Sequence, residues 1–493
     1  MRKLLKKPSS SALIALFIAA IFAVSMAATV YYSYLVPYPA HLRILHDHSS
    51  QMVSEVVSDF KAWYQGKYGR LIEVSMIPTD PQIVYRKVTY YLSSEAEVWW
   101  GGPPPLFEKA YTHLLPYNST YKNEINATCY SCPLMELKRA TPHWYVASLY
   151  GLGLIYNEQA LRSLNLPIPQ TWADLLKEEY DGNIAMVDPA KSEFTLPFIT
   201  LILQSKNWTS GWEYLVRLSA LIRKYDESEV NSALKVAAGY IPLAVLPDFY
   251  AYDKMAVYPR LRFTYLDATV LQPDPIAIIK RGVYLDEAKA FIDYILTERA
   301  QTVLGKHRLP IRRDVTPSPP RINPFTPAFP YIRNYNKTFQ EIGKGIVKDY
   351  YQAWVTERHE QIKTAWTVIR EANKTKHLNP NATRYYNLAW SNFTYAGYYA
   401  NRTEIDAVHG KTKGWTQNTT LYMNKWREAS KKAYQNATEN AKKSKQSAKT
   451  TPSSLMSRTQ NSLRLYALRG SFFAHFKKIN ENIRTSYNYL LSP

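Results

Sequence analysis

The sequence predicts an α/β body with an apolar segment in front of it and a basic, mostly helical extension behind. Strand-like and helix-like patterns alternate from residue 42 to residue 315, as in chains that layer helices on a sheet. The charge is divided unevenly: residues 321–493 hold 28 Lys and Arg against 10 Asp and Glu, out of an overall balance of +21. Residues 8–320 are nearly neutral, so the basic character belongs to the extension and says nothing about a ligand of the body. A chain of 493 residues can build two or three domains with cores of their own.

In chain order, Arg2, Lys3, Lys6 and Lys7 precede a largely apolar, uncharged run from Ala12 to Val30. That is the layout of a secretory signal or of a membrane anchor with its positive end inside, and the run approaches the roughly 20 residues that a span needs. Its length favours an uncleaved anchor, although Ala27 and Ala28 would suit a peptidase; either way the body lies outside the cytoplasm, and DNA is not a partner. Sequons at Asn118, Asn126, Asn207, Asn336, Asn373, Asn381, Asn392, Asn401, Asn418 and Asn436 agree with that placement. The sequon is a loose pattern, and a polar Asn- and Thr-rich tail raises its count. Glycosylation, an anchor and the lack of a lipid-attachment Cys together point to an archaeal cell surface.

LRILHDHSS (42–50) reads as a buried strand ending in a polar loop, and the next 20 residues as a helix with apolar spacing at Met52, Val53, Val56, Val57 and Phe60. LIEVSMIP is a strand, and EAEVWWGGPPPLFEKAYTHLLPY gives a strand, a Gly-Gly turn and a helix opening in prolines. His46 and His48 flank Asp47, but in an extended chain they project to opposite sides, and a metal needs three or four converging ligands; no metal is assigned. Cys129 and Cys132 are the only thiols. CxxC can be a redox dithiol, half a zinc site or a local disulfide; with one pair and an extracytoplasmic setting, a disulfide is the expected state.

Trp144 to Tyr156 is an apolar strand opened by Gly151 and Gly153, after which Asn157 caps a short helix. Thr171 caps a second helix, TWADLLKEEY; Asp181-Gly182 turns the chain into the strand NIAMVD, and Lys191 and Ser192 fall at a helix N-terminus. TLPFITLILQ and the stretch around NWTSGWEYLVRLSALI are helical, and Ile241 to Leu246 is a short strand leading into Pro247-Asp248-Phe249-Tyr250. Ala288, Phe291, Ile292 and Ile295 recur at helical spacing, which marks a core face. Proline recurs from Thr316 to Pro330, and three aromatic-striped helical segments come after it, with KKSKQSAKTTPSS as an exposed connection.

GLGLIYN (151–157), PQTWADL (169–175) and DPAKS (188–192), in that order, resemble the extracytoplasmic solute-binding proteins of ABC importers, in the branch of ferric-iron and thiamine binders. EAKAFIDYIL and LPIRRDV extend the resemblance to residue 315. It implies a bilobal type II periplasmic-binding-protein fold: residues 1–39 as signal or anchor, 40–145 with 268–315 as lobe 1, 146–267 as lobe 2, 316–335 as linker and 336–493 as extension. It also implies ligand contacts at strand C-termini: His48, Ser49, Ser50, Trp100, Gly101, Gly102, Lys191, Ser192, Glu193, Asp248, Tyr250 and Tyr252. Phe249-Tyr250 stands where iron binders carry two tyrosines, so the ferric ligand set is incomplete. The expected function is capture of a small solute or ion by hinge closure and delivery to an ABC permease, with no cofactor and no catalysis. The alternatives are a surface glycoprotein with a vestigial cleft and an extracellular CxxC redox protein.

Overall fold

The computed structural model describes residues 17–27, 39–90, 95–318, 321–331, 343–399 and 417–449. Eleven strands are named in chain order: β1 Ala40–His46, β2 Ile72–Pro78, β3 Val98–Trp100, β4 Thr128–Cys129, β5 Cys132–Pro133, β6 Tyr145–Asn157, β7 Ile184–Val187, β8 Ile222–Asp226, β9 Leu243–Pro247, β10 Leu261–Thr264 and β11 Leu271–Ile278. The chain divides into two compact units, with Gly153 and Leu154 of β6 falling on either side of the division.

Unit 1 holds residues up to Gly153, Pro247–Val257 and Thr269–Arg333. Its sheet runs β2-β1-β3-β11-β6. β1 is parallel to β2 and β3, while β11 runs antiparallel to β3 and β6. Helix Ser50–Tyr68 buries Met52, Val53, Val56 and Phe60 as its spacing predicts, while Val57 is only half-buried, and Phe60 meets Phe291 of helix Leu285–Leu296 edge-on at 4.9 Å. In β11 the strand sequence LQPDPIAI carries Pro273 and Pro275, which have no N–H to give a ladder. A bulge between Asp274 and Pro275 accommodates them and re-aims Asp274.

Unit 2 holds Leu154–Leu246, Tyr258–Ala268 and the residues from Asn334 on. Its strands run β6-β9-β7-β8, with β10 antiparallel to β6; β7 is parallel to both β8 and β9. Asn157 caps helix Glu158–Ser163 by accepting from the N–H groups of Gln159 and Ala160. Thr171 and Asp174 form a capping box, but the chain then makes two 3₁₀ turns, Trp172–Leu176 and Glu178–Tyr180, in place of the expected helix. Lys177 between them is extended, and the Tyr180 hydroxyl reaches back to the Pro167 carbonyl. Helix Pro197–Ser205 begins well after Lys191 and Ser192, which lie in a turned loop and not at the expected helix start.

The extension is built onto unit 2. Helix His359–Thr375 and the short helix Ala396–Tyr399 pack on helix Trp208–Leu221, while helices Lys348–Trp354, His359–Thr375 and Pro380–Phe393 pack together on helix Gln417–Lys449. The Trp212 ring is fully buried and lies 4.9 Å from Tyr350. Lys363 donates to the Arg223 carbonyl of β8, His359 Nδ1 pairs with Ser219 Oγ, and the Tyr225 and Tyr351 hydroxyls meet at 2.9 Å. The extension thus covers what would be an open sheet edge. The first expected helix of the extension breaks at Val355, and KKSKQSAK is helical to Lys449, not a flexible connection; the third segment lies outside the described residues. Among the described residues no helix is long and apolar enough to cross a membrane. Residues 17–27 of the N-terminal run are helical and exposed, and the rest of that run lies outside the described residues.

Candidate functional site

The polar loop after β1 meets the end of β3 and the bulge of β11 within unit 1. β1 stops at His46, so the chain turns there and the two histidines do not splay apart as an extended chain would place them. Their rings are near-parallel at 6.1 Å, and the His48 N–H donates to His46 Nδ1 at 3.1 Å. His46 is therefore the Nε2–H tautomer when neutral, and burial lowers its pKa.

His48 Nδ1 lies 3.7 Å from Asp47 Oδ1, and its Nε2 lies 3.6 Å from Asp274 Oδ2. Asp274 Oδ2 also accepts from Ser148 Oγ at 2.9 Å and from the Trp100 indole N–H at 3.3 Å. Trp100 sits 4.5 Å from the His48 ring. Gly101 has φ +104°, and a Cβ there would fall 1.9 Å from Asp47 Oδ1, so glycine is what lets the carboxylate lie against the strand end.

Burial pushes Asp47 up to about 7, helped by the charge of Asp274 and opposed by the Arg308 guanidinium. Asp274 rises to about 6 for the same first reason, again opposed by Arg308. Burial, then the charges of Arg308 and His46, hold His48 well below its ordinary value, so the imidazole is neutral. Around neutrality Asp47 is partly protonated, and Arg308 offsets negative charge on the two carboxyls.

Four buried polar atoms in this one loop have no hydrogen-bond partner among the described residues: His46 Nε2, Asp47 Oδ2, His48 Nε2 and Ser49 Oγ. Buried groups of this kind are nearly always satisfied, and several together mark a place built for a polar ligand. Asp47, His48 and Asp274 can each bring one ligand atom to within 4.8 Å of the others. The donor set fits a metal poorly. The carboxylates face different ring nitrogens of His48, no fourth protein ligand is present among the described residues, and Arg308 already supplies a cation. Hydroxyl or ammonium donors suit two carboxyls and a neutral imidazole better.

The residues expected at the ligand fall into separate groups. His48, Ser49, Trp100 and Gly101 belong to the cluster just described, while Ser50 is exposed at the start of the helix and Gly102 only makes the turn against Pro81. Asp248 is buried, and its Oδ2 accepts from the Gly151 N–H at 2.8 Å, so it holds β6 in place. Phe249 lies under Arg308 at 3.8 Å and beside Tyr250 at 4.3 Å. Tyr252 is covered by Arg321 at 3.9 Å. In unit 2, Lys191 and Glu193 are exposed on the loop after β7, and Ser192 is tied to Glu229.

The sequence reading missed Asp47, Ser148, Asp274 and Arg308. A lone carboxylate between two prolines in an otherwise apolar strand was the available signal for Asp274, since an acid there is buried only with partners.

Cys129 and Cys132 pair across the β4–β5 hairpin as two buried thiols, so the expected disulfide is not formed. Their sulfurs point to the carbonyls of Pro324 and Pro133. Asn118, Asn207, Asn373 and Asn381 are exposed, whereas Asn126, Asn392 and Asn436 are half-buried. Asn336, Asn401 and the Asn418 side chain lie outside the described residues.

Residues 110–334 match the family model described as Bacterial extracellular solute-binding protein. The phosphoglycerate transport regulatory protein PgtC of Salmonella typhimurium is 32% identical over 155 residues, which is 31% of this chain and 39% of that protein. An uncharacterized protein of Haemophilus influenzae is 26% identical over 219 residues, 43% of this chain and 61% of that one. Both matches span less than two thirds of the relative. The solved structure of the periplasmic binding protein P5PA aligns with a TM-score of 0.52 at 20% identity, covering 64% of this chain and 99% of that one. Residues 110–334 are thus similar in sequence to the bacterial extracellular solute-binding proteins, and the fold is that of a periplasmic binding protein.

Proposed function

We propose that the chain is an extracytoplasmic solute-binding protein that captures a small solute and delivers it to an ABC permease. The observation that carries the reading is the loop His46–Ser49, where four buried polar atoms have no hydrogen-bond partner among the described residues and lie beside two carboxyls held above their ordinary range. In this reading His46 Nε2–H donates to the solute, Asp47 and Asp274 accept from its hydroxyl or ammonium groups, and Arg308 keeps the cluster near neutrality. The apolar run behind four cations serves as signal or anchor and puts the body outside the cytoplasm.

The name of the Salmonella relative makes phosphorylated three-carbon acids the first solutes to try. The unit 1 cluster would take the hydroxyl end of such a molecule and not its phosphate, since its carboxyls offer acceptors to hydroxyl donors and a phosphate needs donors. The reading involves no catalysis. Burial raises the Cys129 thiol to about 12, which speaks against a redox centre there.

A thermal-shift screen of the full chain against phosphoglycerates, glycerol phosphate, free sugars, polyamines and Fe(III) tests this. A ligand of the folded state adds about 2.7 kcal/mol at roughly a hundredfold excess over its Kd. A hit abolished by Asp274→Asn supports the reading, and no shift from any class counts against it.

A further inference from the structure

Asp188 ends β7 and opens the loop that leads to helix Pro197–Ser205 in unit 2. It is 3% exposed. Its Oδ1 accepts from the Ala190 N–H at 3.0 Å and from the Thr356 hydroxyl at 2.7 Å. Its backbone carbonyl accepts from the N–H groups of Lys191 and Ser192. Further along, Ser192 Oγ accepts from the N–H groups of Phe194 and Thr195, and the hydroxyls of Ser192 and Thr195 both donate to Glu229. The loop therefore hangs from two anchors. Glu229 belongs to the strand-and-helix part of unit 2, whereas Thr356 comes from the extension, 168 residues downstream of Asp188.

Thr356 is itself held from behind. It opens the 3₁₀ turn Thr356–Arg358. Glu357 accepts two bonds of 2.7 Å from Arg427, and Arg358 Nε donates to Ser430 Oγ at 3.1 Å. Ser430 and Tyr434 donate in turn to the carbonyls of Ala353 and Trp354, at 2.9 Å each. Helix Gln417–Lys449 thus fixes the turn, and the turn fixes Asp188. Burial pushes the Asp188 carboxyl up, and the hydrogen bond from Thr356 works against that.

We propose that the C-terminal extension braces the loop 188–195 of unit 2, and that Thr356 is the positioning residue through which it acts. The proposal rests on the solute-binding reading only for what the loop does once solute is present. A backbone loop whose first turn is set by one carboxylate keeps its shape only while that carboxylate stays put. The extension supplies the hydrogen bond that keeps it there.

The test is amide hydrogen exchange of the full chain, read on the peptide spanning residues 188–195, together with titration of phosphoglycerate. Thr356→Val removes the hydroxyl while keeping the shape. It should speed exchange in this loop by about tenfold, as expected for losing a hydrogen bond to a buried charge, with β7 and β8 unchanged. Thr356→Ser should restore the wild-type rate. Arg427→Gln, which leaves Thr356 intact, should give a smaller rise, and Lys445→Gln on the same helix none. Phosphoglycerate affinity should weaken with loop exchange across the series. Unchanged loop exchange in both Thr356→Val and Arg427→Gln would overturn the brace, as would a uniform rise over all of unit 2. If phosphoglycerate does not bind the wild type, the solute reading suffers while loop exchange still decides the brace.

Discussion

Replacing Gly101 by Ala probes how tightly the cluster is assembled. Gly101 has φ +104°, outside the regions an L-residue occupies at low cost, and its N–H is already committed to the Pro275 carbonyl at 2.8 Å. Backbone strain of this kind costs about 1–3 kcal/mol. The new methyl would also fall 1.9 Å from Asp47 Oδ1, 2.9 Å from its Cγ and 3.1 Å from His48 Cε1. Asp47 is a side chain and can yield, but only by leaving His48. The expected loss is therefore about 2–4 kcal/mol in urea unfolding followed by tryptophan fluorescence. A double-mutant cycle with Asp47→Ala separates the two causes, because removing the carboxylate relieves the clash and leaves the backbone strain. The double variant should be more stable than the sum of the single effects by at least about 0.5 kcal/mol. A Gly101→Ala protein within about 0.5 kcal/mol of wild type, or strict additivity, would refute this geometry.

Asp47 and Asp274 are both held above the ordinary carboxyl range, so the fold favours their protonated forms. That contribution is complete below about pH 4 and is lost as pH rises through about 6 and 7, at up to about 1.4 kcal/mol per pH unit for each proton. His46 and His48, held below their ordinary range, act in the opposite sense up to about pH 6.5, so the test is a difference: the stability of wild type relative to Asp274→Asn should fall as pH rises from about 5 to about 8, and a constant difference would contradict the assignment. Cys129 should react slowly with a thiol reagent at pH 8 in the native protein, and two thiols should titrate in denaturant. Finding no thiol in denaturant would mean that the hairpin is oxidised. Trp212→Ala should cost about 3–5 kcal/mol, since that ring is fully buried beside Tyr350; a loss under about 1 kcal/mol would mean that the extension hardly rests on it.

Local signals carried the fold a long way. Asn157, the Gly-opened strand and the apolar spacing of helix Ser50–Tyr68 are each set by neighbours in sequence, and each stands where the pattern placed it. Thr171 caps as expected, yet its helix gave way to 3₁₀ turns. The Trp172 N–H is taken by Asp267 and its indole by the Ala268 carbonyl, and such partners are invisible to local propensity. The site shows the same division. His48 and Trp100 were legible because strand ends are, but Asp274 and Arg308 reach them from 226 and 260 positions downstream of His48. Among the described residues the aromatic stripes of the extension are packing surfaces, mostly against one another, while the further partner of helix His359–Thr375, helix Trp208–Leu221, could not be named from periodicity.

Calorimetric titration of the full-length protein tests the central claim most directly, using phosphoglycerate and the free sugars and polyamines of the screen. Wild type and the Asp274→Asn and His48→Ala variants would be titrated side by side. The account predicts one solute class that binds the wild type and loses about tenfold or more in affinity in each variant, as the loss of a buried charged hydrogen bond requires. Binding that both variants leave intact would contradict it, because the solute would then be held by residues other than this cluster.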